Sequence, residues 1–303
     1  MPPRPALPAE LLQGPFARSM AHAAGLTDKQ LRSRCWRRLF PNVYVHVDLR
    51  LTHEVRLRAA LLAAPAGAVV TGLTAAWLFG VWSPRPGTEL PLELGVRRED
   101  RNSSAARAVS RRMVLDPIDV TEWNGLAVTS PERTCFQLMA RSPLVEAVVF
   151  ADAFQHAGLV RQRGLLRFAD ERPHWPHVRK ARIAVDLSRR ESASPMETRL
   201  RMVIVLAGLP EPMIVNGGIY DENGVLLGVP DLLYLAPVFG IEYDGEYHHE
   251  AEQHQRDNQR ENRLLVGNVP LLRYGAVDVF RNPQRIEREV AAMLGGRSLR
   301  VAA

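Results

Sequence analysis

Lysine is almost missing from this chain. Of its 39 Lys and Arg residues only Lys29 and Lys180 are lysine, so no lysine follows residue 180. Any chemistry carried by the C-terminal part must therefore do without an ammonium group, although a GC-rich genome alone also produces an arginine bias. Cysteine is equally scarce. Cys35 and Cys135 stand far apart in sequence, which supports neither a disulfide framework nor a zinc site. No stretch approaches the roughly 18 consecutive apolar residues of a membrane span. The opening Met1-Pro2-Pro3-Arg4-Pro5 lacks an apolar signal core and reads as a disordered tail of a cytoplasmic protein. There is no internal repeat.

A chain of 303 residues is long enough for two or three domains, and 46% hydrophobic with 24% charged residues is an ordinary globular balance. The net charge of +6 is unevenly spread: residues 1–50 carry 8 Lys/Arg against 3 Asp/Glu, and residues 197–303 carry 11 Arg against 15 Asp/Glu. A basic front suits a polyanion and an acidic back suits cations.

The front reads as a small helical unit followed by a strand. A short helix over 17–24 ends at Gly25. Thr27-Asp28-Lys29-Gln30 has the form of a capping box and opens a second helix expected to run to about Leu39. That helix would carry Lys29, Arg32, Arg34, Arg37 and Arg38 around Trp36. After the Pro41-Asn42 turn, Val43-Tyr44-Val45-His46-Val47 is β-branched and aromatic and reads as a strand or wing. Helices are expected over 52–64 and 71–79, a strand over 90–96, and a solvated arm over 97–112 with arginines at 97, 98, 101, 107, 111 and 112. Pro131 opens another helix. Helices over 143–157 and 159–170 follow, then a proline-containing linker at 171–176.

The C-terminal part reads as helix, three strands, helix, strand, helix. Ser194-Pro195-Met196-Glu197 opens the first helix. Strands are expected over 213–220 and 225–235, joined at Asp221-Glu222-Asn223-Gly224, with Pro230 marking a bulge or edge. A third strand covers 238–244, a polar helix 250–265, a fourth strand 270–274 and a closing helix 283–294. The expected class is therefore mixed α/β (α+β), with a winged-helix-like module at 1–50, a helical middle region at 51–175 and a mixed sheet flanked by helices at 178–303.

Three carboxylates stand out. Asp231 begins an apolar run, and Glu242 and Asp244 lie in another; alternation along a strand puts the latter two on one face. A turn through Ala236-Pro237 can bring Asp231 beside them. Converging carboxylates repel unless a cation joins them, and such hard oxygen donors suit Mg²⁺ or Mn²⁺. The plain alternative is surface turn residues. Glu197 has the capping-box spacing from Ser194, which alone accounts for it.

Pro230-Asp231 followed by Glu242-Tyr243-Asp244 resembles the PD-(D/E)XK nuclease superfamily, with Asp244 where that family usually has lysine. Within it, Asp244-Gly245-Glu246-Tyr247-His248, then Asp257-Asn258-Gln259-Arg260 with Leu264, Gly267 and Leu272-Arg273, are similar to the branch of very-short-patch-repair endonucleases and their bacterial relatives. The resemblance spans about residues 194–290. It implies a restriction-endonuclease-like sheet, a metal site at Asp231, Glu242 and Asp244, Glu197 as the helix-borne acid, His248 as the base replacing the lysine, and Asp257 with Arg260 or Arg263 at the phosphate. His248 is otherwise a loop histidine beside His249, and Asp257 and Arg260 a plain surface ion pair. The front resembles the winged-helix module of abortive-infection type IV antitoxins, through Gly25-Leu26-Thr27, the arginine run, Asn42-Val43-Tyr44-Val45, Thr71-Gly72-Leu73-Thr74-Ala75-Ala76 and Thr129-Ser130-Pro131-Glu132-Arg133-Thr134. That implies DNA contact by Lys29, Arg32, Arg34, Arg37 and Arg38, which otherwise form one solvated face.

The leading expectation is a cytoplasmic, metal-dependent DNA endonuclease or nickase in phage defence or repair, acting on duplex or single-stranded DNA, with a homodimer among its assemblies and no membrane contact. The rival is a non-catalytic, antitoxin-like regulator with a degenerate nuclease fold. RNA is a weaker third target, since nothing discriminates the 2′-OH.

Overall fold

Thr27 does cap a helix: its side chain accepts from the Gln30 backbone while Gln30 reaches back to the Thr27 N–H. The computed structural model, which describes residues 8–97, 109–245, 263–264 and 267–295, shows a mixed α+β protein. The chain divides into two compact units, Met1–Gln137 and Leu138–Ala303.

In the first unit, β1 (Phe16–Ala17) leads into α1 (Arg18–Ala23) and α2 (Asp28–Leu31), then β2 (Trp36–Phe40) and β3 (Val43–His46). The three strands form an antiparallel sheet in the order β1-β3-β2. The helix expected to reach Leu39 stops at Leu31, so Arg37 and Arg38 stand on a strand. The reason is tertiary. Trp36 and Phe40 are buried in β2, Trp36 meets the Phe16 ring edge-on at 5.1 Å, and Asn42 takes the left-handed conformation that closes the β2–β3 hairpin. Such long-range pairing overrides the helix preference of arginine. The following helix α3 (His53–Ala63) packs on this sheet.

The rest of the unit is a five-stranded mixed sheet in the order β6-β5-β4-β8-β7, from β4 (Val69–Val70), β5 (Glu93–Arg97), β6 (Val109–Met113), β7 (Val120–Trp123) and β8 (Leu126–Thr129), with α4 (Gly72–Leu78) after β4. Part of the expected arginine arm is thus strand: Arg111 and Arg112 pair with Gly95 and Val96. Arg98, Arg101 and Arg107 lie outside the described residues. Helix α5 (Pro131–Arg141) starts at Pro131 as expected.

In the second unit the last residues of α5 are followed by α6 (Leu144–His156), α7 (Gln162–Asp170) and α8 (Val178–Asp186); residues 171–176 lie between α7 and α8. Helix α9 (Pro195–Leu206) begins at the Ser194 cap. Each of the two expected long strands is broken. The first becomes β9 (Ile214–Val215) and β10 (Ile219–Tyr220), parted by Asn216-Gly217-Gly218; the second becomes β11 (Leu226–Gly228) and β12 (Leu232–Leu235), parted around Pro230. Left-handed Asn216 and the missing N–H of Pro230 end the ladders there. β10 and β11 form their own hairpin. The main sheet runs β14-β13-β12-β9, with β13 (Val238–Tyr243) antiparallel to β12 and parallel to β14 (Leu271–Tyr274). Two helices close the unit, α10 (Ala276–Arg281) and α11 (Pro283–Leu294); α8 and α10 were not foreseen. The helix expected over 250–265 falls outside the described residues, apart from Arg263 and Leu264, which are helical.

One face of the main sheet is the core. Leu232 and Tyr234 of β12, Phe239 and Ile241 of β13 and Tyr274 of β14 pack with Leu200 and Ile204 of α9, Val279 of α10, and Ile286 and Val290 of α11. The other face carries the residues of opposite parity, among them the carboxylates.

Candidate functional site

Strand register decides where the acidic residues meet. Leu232 pairs with Ile241 at the end of the β12–β13 ladder, and Asp231 and Glu242 are the next residues on either side of that pair. Glu242 in turn pairs with Arg273 of β14. Glu242 and Arg273 thus stand side by side on the face away from the α9–α11 core, and Asp231, just before β12, has the parity of that face. Asp231 Oδ2 accepts from the Tyr243 N–H at 2.7 Å, which fixes the side chain at the end of the ladder. The Arg273 Nε lies 3.4 Å from Glu242 Oε2, and the Glu242 side chain is only 12% exposed. Asp244 is exposed; its N–H donates to the Tyr274 carbonyl at 2.9 Å, continuing the β13–β14 ladder. It shares the face of Glu242 by alternation, as expected.

Glu197 lies in the first turn of α9 and is 8% exposed. Its backbone N–H donates to Ser194 Oγ at 3.2 Å, and its Oε2 accepts from the Ala193 N–H at 2.8 Å and from Asn216 Nδ2 at 2.8 Å. The cap is therefore real, but the side chain also reaches the end of β9. Asn216 carries the link onward, because its backbone N–H donates to the Asp231 carbonyl at 2.9 Å. Asn216 and Arg273 both escaped sequence reasoning as site residues. The Asn-Gly-Gly triplet signals a turn and nothing about its partners, and Arg273 appeared only as a motif position.

Asp231, Glu242 and Asp244 offer the hard oxygen donors that Mg²⁺ or Mn²⁺ prefers. Asp231 and Glu242 follow the last pair of the β12–β13 ladder and Asp244 comes next on the face of Glu242, so the donor type suits such an ion. Among the described residues, no three His, Cys, Asp or Glu side chains are already gathered closely enough to hold a metal ion. His248, Asp257 and Arg260 lie outside the described residues.

On the first unit, Lys29, Arg32, Arg34, Arg37 and Arg38 are all exposed. They do not form a single helix face. Lys29 is on α2, Arg32 caps its end, Arg34 is in the following turn, and Arg37 and Arg38 are on β2. Arg18 behaves differently: it forms an ion pair with Asp28, Nε to Oδ1 at 2.8 Å, and His22 Nε2 adds a contact at 2.8 Å. The Arg18 hydrogen bond, with help from His22, pulls the Asp28 carboxyl down to about 2. Asp28, beside Lys29 in sequence, stays ionised and has its charge offset by Arg18.

No family model matches the sequence, and no curated protein matches it. Among solved structures, the crystal structure of the RV2827C protein from Mycobacterium tuberculosis is similar at 14% identity and a TM-score of 0.42, covering 70% of this chain and 86% of that one. A likeness this slight assigns neither a family nor an activity. Among the described residues, no helix is long and apolar enough to cross a membrane.

Proposed function

We propose that this chain is a cytoplasmic DNA endonuclease or nickase dependent on Mg²⁺ or Mn²⁺, working in phage defence or DNA repair, with its first unit holding DNA and its second cutting it. The observation that carries this reading is the meeting of Asp231 and Glu242 at the end of the β12–β13 ladder, where Asp231 Oδ2 accepts from the Tyr243 N–H, with Asp244 next on the face of Glu242. Asp231, Glu242 and Asp244 would hold the ion, which when bound polarises a phosphodiester and supplies a more acidic water. Glu197 is linked through Asn216 to the backbone carbonyl of Asp231 and belongs to this reading as the helix-borne acid. Arg273 puts positive charge beside Glu242, where a phosphate oxygen needs it. His248 is the base in this reading, and Arg260 with Asp257 orients the phosphate. The exposed cations Lys29, Arg32, Arg34, Arg37 and Arg38 suit the DNA backbone, whose phosphates release counterions when a protein cation binds. A homodimer belongs to the proposal as an assembly state.

A second reading, a regulator with a degenerate nuclease fold, has its own support. The Arg273 guanidinium already lies against Glu242, and no lysine follows residue 180. Incubation of the protein with supercoiled and single-stranded DNA, in Mn²⁺ and in EDTA, separates the two. Cleavage only with the ion supports the nuclease. DNA binding without cleavage under any ion supports the regulator.

A further inference from the structure

The five cations assigned to DNA do not share one surface, because two of them are neighbours on a strand. Arg37 and Arg38 follow Trp36 on β2, and successive side chains of a strand point to opposite faces. The register is regular over these three residues: Trp36 pairs with His46, Arg37 with Val45 and Arg38 with Tyr44. Trp36 and Tyr44 pack with Ala21 of α1 and Leu31 of α2, so their side of the sheet faces those helices. Arg38 stands on that side, directly across from Tyr44. Arg37 stands on the other side, with Val45.

Arg18 adds a second guanidinium to the side of Arg38. It opens α1, and its backbone N–H donates to the Asn42 carbonyl at 2.7 Å, which sets it against the β2–β3 turn. Arg38 reaches the same turn, its Nε 3.4 Å from the Phe40 carbonyl. Tyr44 lies between the two. It is the cross-strand partner of Arg38, and it adds to the rise in the Arg18 pKa that the hydrogen bond and charge of Asp28 produce. The Arg18 pair with Asp28 uses Nε and Nη2, and among the described residues Nη1 has no acceptor. Arg38 has no carboxylate partner among the described residues. Both arginines are exposed. Two guanidiniums with spare donors beside one turn match the spaced phosphates of a nucleic-acid backbone.

We propose that DNA backbone phosphates bind on the α1–α2 side of the β1-β3-β2 sheet, at Arg38 and Arg18 on either side of Tyr44, and that Arg37 faces away from the DNA. This rests on the reading in which the first unit holds DNA; it adds Arg18 to the contacts and withdraws Arg37. Asp28 then competes with the phosphate for Arg18.

The test titrates full-length protein into fluorescein-labelled duplex DNA in EDTA, at several salt concentrations, with binding read by fluorescence anisotropy. Arg38→Ala and Arg18→Ala should each weaken binding about 10-fold, the effect of one lost charge-assisted hydrogen bond. Each should also lower the slope of log K against log salt by about 0.9. Arg37→Ala should keep the wild-type affinity and slope. Asp28→Asn separates contact from fold, because it breaks the ion pair and leaves the Arg18 charge. Its binding should tighten if Arg18 meets phosphate, and weaken as in Arg18→Ala if Arg18 only braces α2. Equal or weaker binding by Asp28→Asn therefore overturns the proposal. So does a loss in Arg37→Ala as large as that in Arg38→Ala, or wild-type binding by both Arg38→Ala and Arg18→Ala; each of these leaves the DNA reading standing. A wild type that binds no duplex at any salt concentration overturns the DNA reading and this inference with it. Should Arg18→Ala lower the melting temperature, Asp28→Asn and the contrast between Arg37→Ala and Arg38→Ala decide the matter.

Discussion

Removing Asp152 should damage the second unit more than removing most of its apolar residues. Asp152 of α6 is 1% exposed and Arg201 of α9 is 0% exposed. Asp152 Oδ2 accepts from Arg201 Nη2 at 2.9 Å and from Thr198 Oγ1 at 2.8 Å, and Oδ1 accepts from the Arg189 N–H at 2.6 Å. Arg201 has only two other acceptors among the described residues, the Leu187 carbonyl at 2.7 Å and the partly exposed Glu211 carboxylate at 3.3 Å. Asp152→Ala therefore takes from a fully buried guanidinium its buried countercharge and from the Arg189 N–H its acceptor. Breaking a buried ion pair from one side costs about 3–5 kcal/mol, whereas replacing both partners with apolar residues of similar volume is often neutral or stabilising. Asp152→Leu/Arg201→Met should accordingly recover most of the loss. Urea unfolding followed by circular dichroism measures the cost, and hydrogen exchange in α6 and α9 shows that it arises there. A single-variant loss below about 1 kcal/mol, the size of an exposed pair, would refute the reasoning. So would a double variant no more stable than Asp152→Ala.

Three further outcomes are expected. Burial, with the Arg56 charge beside it, pushes His53 down from 6.5 to about 4. The folded state favours the neutral ring, so stability from this group is full above pH 6.5 and is lost as pH falls towards 4; His53→Phe should flatten that acid limb in thermal melts across this range. Millimolar Mn²⁺ or Mg²⁺ should raise the melting temperature of the wild type and not of Asp231→Ala, since a ligand bound only by the folded form stabilises it; absence of any shift in the wild type counts against the metal site. Arg34→Ala/Arg37→Ala/Arg38→Ala should weaken duplex DNA binding and reduce the slope of log K against log salt by about 0.9 for each phosphate no longer neutralised; an unchanged slope moves the DNA surface elsewhere.

Local signals were legible where local chemistry decides. Thr27 with Gln30, Pro131, and Ser194 with Pro195 mark helix starts because a cap or a missing N–H acts within one turn. Alternation put Glu242 and Asp244 on one face for the same reason. What the sequence could not reveal depends on partners far along the chain. Helix α2 stops at Leu31 because Trp36 packs against Phe16 in a sheet completed by β3. Arg273 meets Glu242 only through the β13–β14 register, and Asn216 meets Glu197 only because β9 ends where α9 begins its first turn. The breaks at Asn216 and Pro230 were visible as turn and edge residues, yet a strand of opposite parity on either side looked equally continuous.

Whether the Asp231–Glu242 pair supports DNA cleavage with a divalent ion can be read from one gel. Supercoiled plasmid is incubated in Mn²⁺ with the wild type, Asp231→Asn and Glu242→Gln, purified side by side, and its conversion to nicked or linear form is followed. The wild type should convert the plasmid in a reaction that EDTA abolishes, and neither variant should convert it, although all three bind the plasmid equally. Cleavage by both variants at the wild-type rate, or no cleavage by the wild type in any ion, would remove the pair from the chemistry.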